Sequence, residues 1–128
     1  MQAAETKKVD AVLVAAGASR RMGFDKLSFR LPDGRTVLET SLAAFASHPA
    51  VSRIMLVAGE NREICLALAA ACAKPAVVVQ GGATRADSVR AGVLAAEGDL
   101  VAIHDAARPF VSAAVIARAL AAAARPGA

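Results

Sequence analysis

Tryptophan and tyrosine are missing from the chain, and its four phenylalanines, Phe24, Phe29, Phe45 and Phe110, are scattered. At 3% aromatics there is no platform on which the bases of a polymer could stack, so a nucleic-acid binder is disfavoured despite a net charge of +4 and a pI of about 9.7. Cysteine is almost as rare. Cys65 and Cys72 form no C-x-x-C pair, lie two helical turns apart in an Ala/Leu-rich stretch, and read as core thiols, not metal ligands. Hydrophobic residues make up 56% of the chain and mean hydropathy is +0.48, yet no apolar run reaches the roughly 18 to 20 residues of a membrane span. The first eight residues are polar, and Asp10 and Arg20 interrupt the apolar stretch behind them, so the pattern of a secretory signal is missing and a cytoplasmic location is expected. Two phosphate-binding fingerprints are also absent. Gly17 is followed by Gly23 and Phe24, which matches neither G-x-G-x-x-G nor G-x-x-x-x-G-K-[ST].

At 128 residues the chain is expected to form a single domain with one core. Its leading feature is the apolar, β-branched run from Val9 to Val14, which stops at Ala15-Ala16-Gly17-Ala18-Ser19 and gives way to Arg20, Arg21 and Lys26. A buried parallel strand reads this way, and in open α/β sheets ligands bind beyond the strands' carboxyl ends. Small residues let a ligand approach the backbone N–H groups, and the cations supply fixed positive charge, so the stretch suits a polyphosphate cradle. An ordinary small-residue turn with solvated cations would have the same composition.

Further along, residues 27–31 alternate like a short half-exposed strand, and Pro32-Asp33-Gly34 supplies turn chemistry. Thr36-Val37-Leu38-Glu39 fits a capping box opening a helix with Leu38, Leu42 and Phe45 on one face, and His48 reads as a polar group at its end. Strands are predicted over 53–58, 76–80 and 100–103, and a helix over 60–73 with an apolar face built on Ile64, Leu66 and Leu68. Ser112 is expected to cap a last helix over 113–124. Strand and helix alternate throughout, which implies a parallel sheet with helices on both faces.

Polar residues collect after the third and fourth predicted strands as well. Gly81-Gly82 would let a base or ribose approach the backbone, and Thr84 would cap a helix on which Arg85 and Ser88 share a face. A plain glycine turn before a capped helix would look the same. After the fourth strand comes His104-Asp105-Ala106-Ala107-Arg108-Pro109. Asp105 stands where a carboxylate would hold Mg²⁺ beside a triphosphate, and Arg108 has the planar fork for a second anion such as an acceptor phosphate. A surface Asp–Arg pair is the plain alternative, and His104, alternating in direction with its neighbours, is expected to pack.

Together, Ala15-Ala16-Gly17 with Arg20-Arg21-Met22 and Lys26, Gly81-Gly82 with Arg85 and Ser88-Val89, and His104-Asp105-Ala106-Ala107-Arg108-Pro109 resemble the 2-C-methyl-D-erythritol 4-phosphate cytidylyltransferases, from about residue 11 to 111. The first motif is shared with other nucleotidyltransferases, including the molybdenum-cofactor guanylyltransferases. The resemblance implies a Rossmann-like nucleotidyltransferase fold and transfer of a cytidylyl group from CTP to methylerythritol phosphate, in non-mevalonate isoprenoid synthesis, with Mg²⁺ as cofactor and loss of pyrophosphate. It implies Arg21 and Lys26 as catalytic cations that neutralise the triphosphate. Ala15, Ala16, Gly17, Gly82 and Ser88 would line the CTP pocket, and Asp105 and Arg108 would serve the acceptor, with Asp105 also the metal ligand. The alternatives are a guanylyltransferase-like enzyme and a non-catalytic nucleotide-binding module.

Three departures stand out. Ser19 replaces a usual glycine, Asp25 replaces a usual proline before Lys26, and the family's chain is much longer, with a second half carrying a dimer arm and further catalytic groups. The sequence is therefore expected to be a partial nucleotidyltransferase domain over 1–128, truncated on its C-terminal side, that binds CTP weakly and turns over slowly or not at all. Such a cut would leave one sheet edge and some apolar surface open.

Overall fold

The computed structural model describes residues 8–16, 27 and 29–106. Within them strand and helix alternate: β1 (Val9–Val14), α1 (Val37–Ala46), β2 (Arg53–Ala58), α2 (Arg62–Ala71), β3 (Ala76–Gln80), α3 (Arg85–Ala95) and β4 (Leu100–Asp105). The strands form one parallel sheet in the order β3-β2-β1-β4. The chain steps outward from β1 to β3 and then returns across the sheet to the other side of β1. That reversal puts the topological switch point, where open α/β sheets accept ligands, between the carboxyl ends of β1 and β4.

Alternation along each strand sorts the side chains onto two faces. Val9, Ala11 and Leu13 of β1 join Ile54, Leu56 and Ala58 of β2 in a core with Leu38, Leu42 and Phe45 of α1 and Cys65 of α2. On the opposite face Val12, Val14, Met55 and Val57 are covered by α3, with Val89 and Ala95 against them. Ser88 and Gly92, one helical turn apart, are the positions of α3 pressed fully onto the sheet. Asp10 lies on this face too, 3% exposed, and its Oδ2 accepts the N–H groups of Glu97 (2.6 Å) and Gly98 (2.8 Å). Arg53 reaches the same oxygen at 3.4 Å. A carboxylate inside an otherwise apolar strand thus ties down the connection from α3 to β4.

Most predicted elements are present, with instructive differences. The capping box of α1 is complete: Glu39 N–H donates to Thr36 Oγ1 at 3.1 Å, and Thr36 N–H to Glu39 Oε1 at 2.7 Å. His48 is a polar end group, its Nδ1 accepting from Ala50 N–H at 3.1 Å. Among the described residues of the strand expected over 27–31, Arg30 forms one antiparallel bridge, to Thr36, across the turn at Gly34 (φ +87°). In α2 the apolar face holds the expected Leu68 and the two cysteines but not Ile64 and Leu66. Cys65 is fully buried and Leu68 and Cys72 pack on the core, whereas Ile64 and Leu66 are each 46% exposed. The spacing i, i+3, i+7 makes one narrow stripe, and 64 and 66 flank it. Strand β4 runs two residues beyond its predicted end, which places His104 and Asp105 on the strand, in register with Leu13 and Val14.

Among the described residues β4 pairs only with β1, and Ile103 is 47% exposed. None of their helices is long and apolar enough to cross a membrane. The helix expected over 113–124 lies outside the described residues.

Candidate nucleotide site at the carboxyl rim

All four strands point the same way, so the segments leaving β1, β2, β3 and β4 emerge on one rim of the sheet. The exits of β1, β3 and β4 are each held to a neighbouring strand by backbone hydrogen bonding just past the ladder. Ala15 N–H donates to Val57 O (2.8 Å), Gly81 N–H to Ala58 O (2.8 Å) and Ala106 N–H to Val14 O (3.0 Å). Asn61 adds a side-chain clasp: its Oδ1 accepts Gly59 N–H at 3.0 Å and its Nδ2 donates to Ala15 O at 3.3 Å. The amide therefore ties the turn after β2 to the end of β1 and makes no hydrogen bond capping α2, whose N-cap it occupies.

The loop after β3 is drawn against the other exits. A methyl group on Gly81 would stand 2.8 Å from Ala16 Cβ and 2.7 Å from Ser88 Oγ, closer than side-chain atoms can approach, so only glycine fits. Next to it, Gly82 N–H donates to Ser88 Oγ at 3.2 Å. Ser88 is 1% exposed, so its hydroxyl shapes the glycine loop from behind. Thr84 caps α3 by accepting Asp87 N–H at 3.0 Å, which sets the first turn of the helix at the rim. Ala16, Gly81, Gly82 and Ser88, drawn from three segments, thus form one small-residue shelf.

On the same face of the sheet, Arg85 in the first turn of α3 forms an ion pair with Asp105 at the end of β4, at 3.6 Å. The guanidinium is 59% exposed and the carboxylate 32%. His104 points the other way: its ring lies 5.1 Å from that of Phe45 of α1, and behind it Ser41 Oγ donates to Ala106 O at 2.7 Å. The packing role expected for His104 agrees with that contact.

Of the site residues expected from the sequence, Ala15, Ala16, Gly82, Ser88 and Asp105 stand on this rim, and Gly17, Arg21, Lys26 and Arg108 lie outside the described residues. Sequence reasoning missed one participant, Asn61, and the partner of another, Arg85. Asn61 follows a strand-ending glycine, a position where an amide with both donor and acceptor is a turn residue. Arg85 reads from the sequence as a neighbour of Ser88, but its partner lies across the sheet, and no local pattern announces that.

No cluster of three or more His, Cys, Asp or Glu side chains forms among the described residues, so they build no protein-only metal cage. A Mg²⁺-like ion needs only one or two carboxylates when phosphate oxygens complete its shell. The partly exposed carboxylate of Asp105 fits an ion that arrives with a nucleotide.

Comparison with known proteins gives the same direction. A bifunctional enzyme IspD/IspF from Rhizorhabdus wittichii is 44% identical over 115 residues, covering 89% of this chain and 30% of that protein. The crystal structure of 2-C-methyl-D-erythritol 4-phosphate cytidylyltransferase from Thermus thermophilus superposes with a TM-score of 0.68 at 36% identity, over 91% of this chain and 50% of the other. The 4-diphosphocytidyl-2C-methyl-D-erythritol synthase of Anaerococcus prevotii gives 0.77 at 26% identity, over 92% and 51%. The chain therefore spans about half the length of these solved structures and under a third of the bifunctional relative. A guanylyltransferase is not favoured by these matches. Residues 9–128 match the family profile of 2-C-methyl-D-erythritol 4-phosphate cytidylyltransferase, and the chain belongs to that family.

Proposed function

We propose that this chain carries the cytidine-nucleotide site of an enzyme that transfers a cytidylyl group from CTP to 2-C-methyl-D-erythritol 4-phosphate in the cytoplasm. The observation that supports it most is the shelf of Ala16, Gly81, Gly82 and Ser88 on the same carboxyl rim as Asp105, in a parallel sheet of a member of this family. In the reaction an oxygen of the acceptor's phosphate attacks the α-phosphorus of CTP. The bond to the β-phosphate's bridging oxygen breaks, and its electron pair leaves with pyrophosphate. No covalent enzyme intermediate is needed, so catalysis is positioning and charge stabilisation.

Ala15, Ala16, Gly17, Gly82 and Ser88 shape the pocket for the nucleoside, and Arg21 and Lys26 neutralise the triphosphate and the charge that builds at the α-phosphate. Asp105 holds Mg²⁺, which when bound offsets phosphate charge, and Arg108 binds the phosphate of the acceptor. The test is calorimetric titration of the chain with CTP and with GTP in Mg²⁺, followed by a pyrophosphate assay with methylerythritol phosphate. CTP should bind at least tenfold more tightly than GTP, a difference of about 1.4 kcal/mol. Equal affinity, or a preference for GTP, refutes the assignment; CTP binding with no pyrophosphate release assigns this chain nucleotide recognition alone.

A further inference from the structure

Arg85 belongs to a helix and Asp105 to a strand, and the elements carrying them are held in place independently of the ion pair. The first turn of α3 is set by the Thr84 cap and by Ser88 beneath the glycine loop. The far end of α3 and the entry to β4 are tied by Asp10 through Glu97 and Gly98. The two elements therefore bring the charges within reach of each other across the rim, at 3.6 Å, without depending on the ion pair. Both are partly in water, and an exposed pair of this kind is weak enough to be exchanged for other partners. Arginine stays charged, and its fork suits phosphate oxygens as well as carboxylate.

We propose that the Arg85–Asp105 ion pair is an exchangeable lock on the nucleotide site: a divalent cation taken up by Asp105 releases the Arg85 guanidinium to the phosphates of the incoming nucleotide. The inference rests on the reading of this rim as a cytidine-nucleotide site. Without a cation, Asp105 both occupies Arg85 and repels phosphate. With one, the carboxylate is neutralised and the guanidinium is free, so cation and nucleotide each raise the other's affinity, as linkage requires. Arg85 is then a positioning and recognition residue whose effect appears only when the metal is present.

The experiment measures the Kd of CTP for the 128-residue chain by calorimetry, in EDTA and in saturating Mg²⁺, for the parent, Arg85→Gln, Arg85→Lys, Asp105→Asn and the double variant R85Q/D105N. Arg85→Gln should leave the Kd in EDTA within about twofold and weaken that in Mg²⁺ about three- to fivefold, the scale of one exposed ion pair. Arg85→Lys should recover part of that loss. Asp105→Asn should tighten binding in EDTA about three- to fivefold, mainly by freeing Arg85, and the gain should shrink to the small part due to Asp105's own repulsion of phosphate in the double variant. Thermal melts of each variant check that the fold is intact. Equal weakening of Arg85→Gln in both conditions, or a gain in Asp105→Asn that is undiminished by loss of Arg85, overturns the lock and leaves the nucleotide site standing. Failure of the parent to bind CTP in either condition overturns the nucleotide site, and the lock with it.

Discussion

Gly92 of α3 lies hard against Val12 of β1: a methyl group at Gly92 would stand 2.4 Å from Val12 Cγ1 and 2.9 Å from Val57 Cγ2. This contact sets how closely α3 approaches the sheet, and through α3 it sets where Ser88 and Arg85 stand at the rim. Gly92→Ala should lift the helix and destabilise the chain by about 1–3 kcal/mol, the usual cost of overpacking, even though alanine is the better helix former. Urea unfolding followed by circular dichroism measures the shift in midpoint. A Val12→Ala, Gly92→Ala double variant should lose less than the sum of the single variants, because the two positions share the space.

Asp10 provides the second anchor of α3. Replacing it with alanine leaves the Glu97 and Gly98 N–H groups and the Arg53 guanidinium without their shared acceptor. The expected cost is about 3 kcal/mol, and Asp10→Asn, which keeps an acceptor oxygen but loses the charge, should cost about half of that. Amide exchange at Glu97 and Gly98 should accelerate in both variants, and unchanged protection there would refute this role.

Acid should weaken α1 through its capping box. The Thr36 N–H bond to Glu39, helped by the charges of Arg30 and Arg35 and opposed by burial, holds the Glu39 carboxyl below its ordinary range. The folded pKa is thus lower than the unfolded one, so the stabilisation is fully present above the unfolded glutamate value, about 4.3, and disappears as pH falls through the folded value. The melting-temperature difference between the parent and Glu39→Gln should be largest at neutral pH and shrink below about pH 4. Thr36→Ala should cost about 1 kcal/mol.

The glycine shelf predicts opposite kinds of damage at two neighbouring positions. Gly81→Ala forces a methyl group into Ala16 and Ser88 and should displace the loop, weakening CTP binding about tenfold or more, a loss of at least about 1.4 kcal/mol. Ser88→Ala opens space but takes away the acceptor of Gly82 N–H, with an expected stability loss of about 1 kcal/mol. Combining the two changes should restore part of the binding that Gly81→Ala loses, which titration with CTP would read directly.

Much of this architecture is legible from local patterns. The β-branched runs at 9–14, 53–58 and 76–80 are strands with the predicted bounds, and Thr36 and Thr84 cap the helices they precede. The glycine pair, the small residues after Val14 and the carboxylate after Ile103 can be named from the sequence, because each depends on neighbours within a few positions. The apolar face of α2 is legible only in part: Cys65, Leu68 and Cys72 can be named from the sequence, but Ile64 and Leu66 are as hydrophobic and are exposed. Asp10 is visible merely as a charge interrupting an apolar run; its ligands are 87 and 88 residues away.

Chain composition and spacing therefore specify most elements of this protein and the chemistry at their exits, because backbone propensity, capping and turn geometry are short-range effects. The order β3-β2-β1-β4 has no such local signature: parallel strands read alike, and which of them become neighbours is settled by how helices on two faces bury apolar surface together. That arrangement brings Arg85 to Asp105 and Gly81 to Ala16, contacts between residues far apart along the chain, and it is there that the candidate site acquires its geometry.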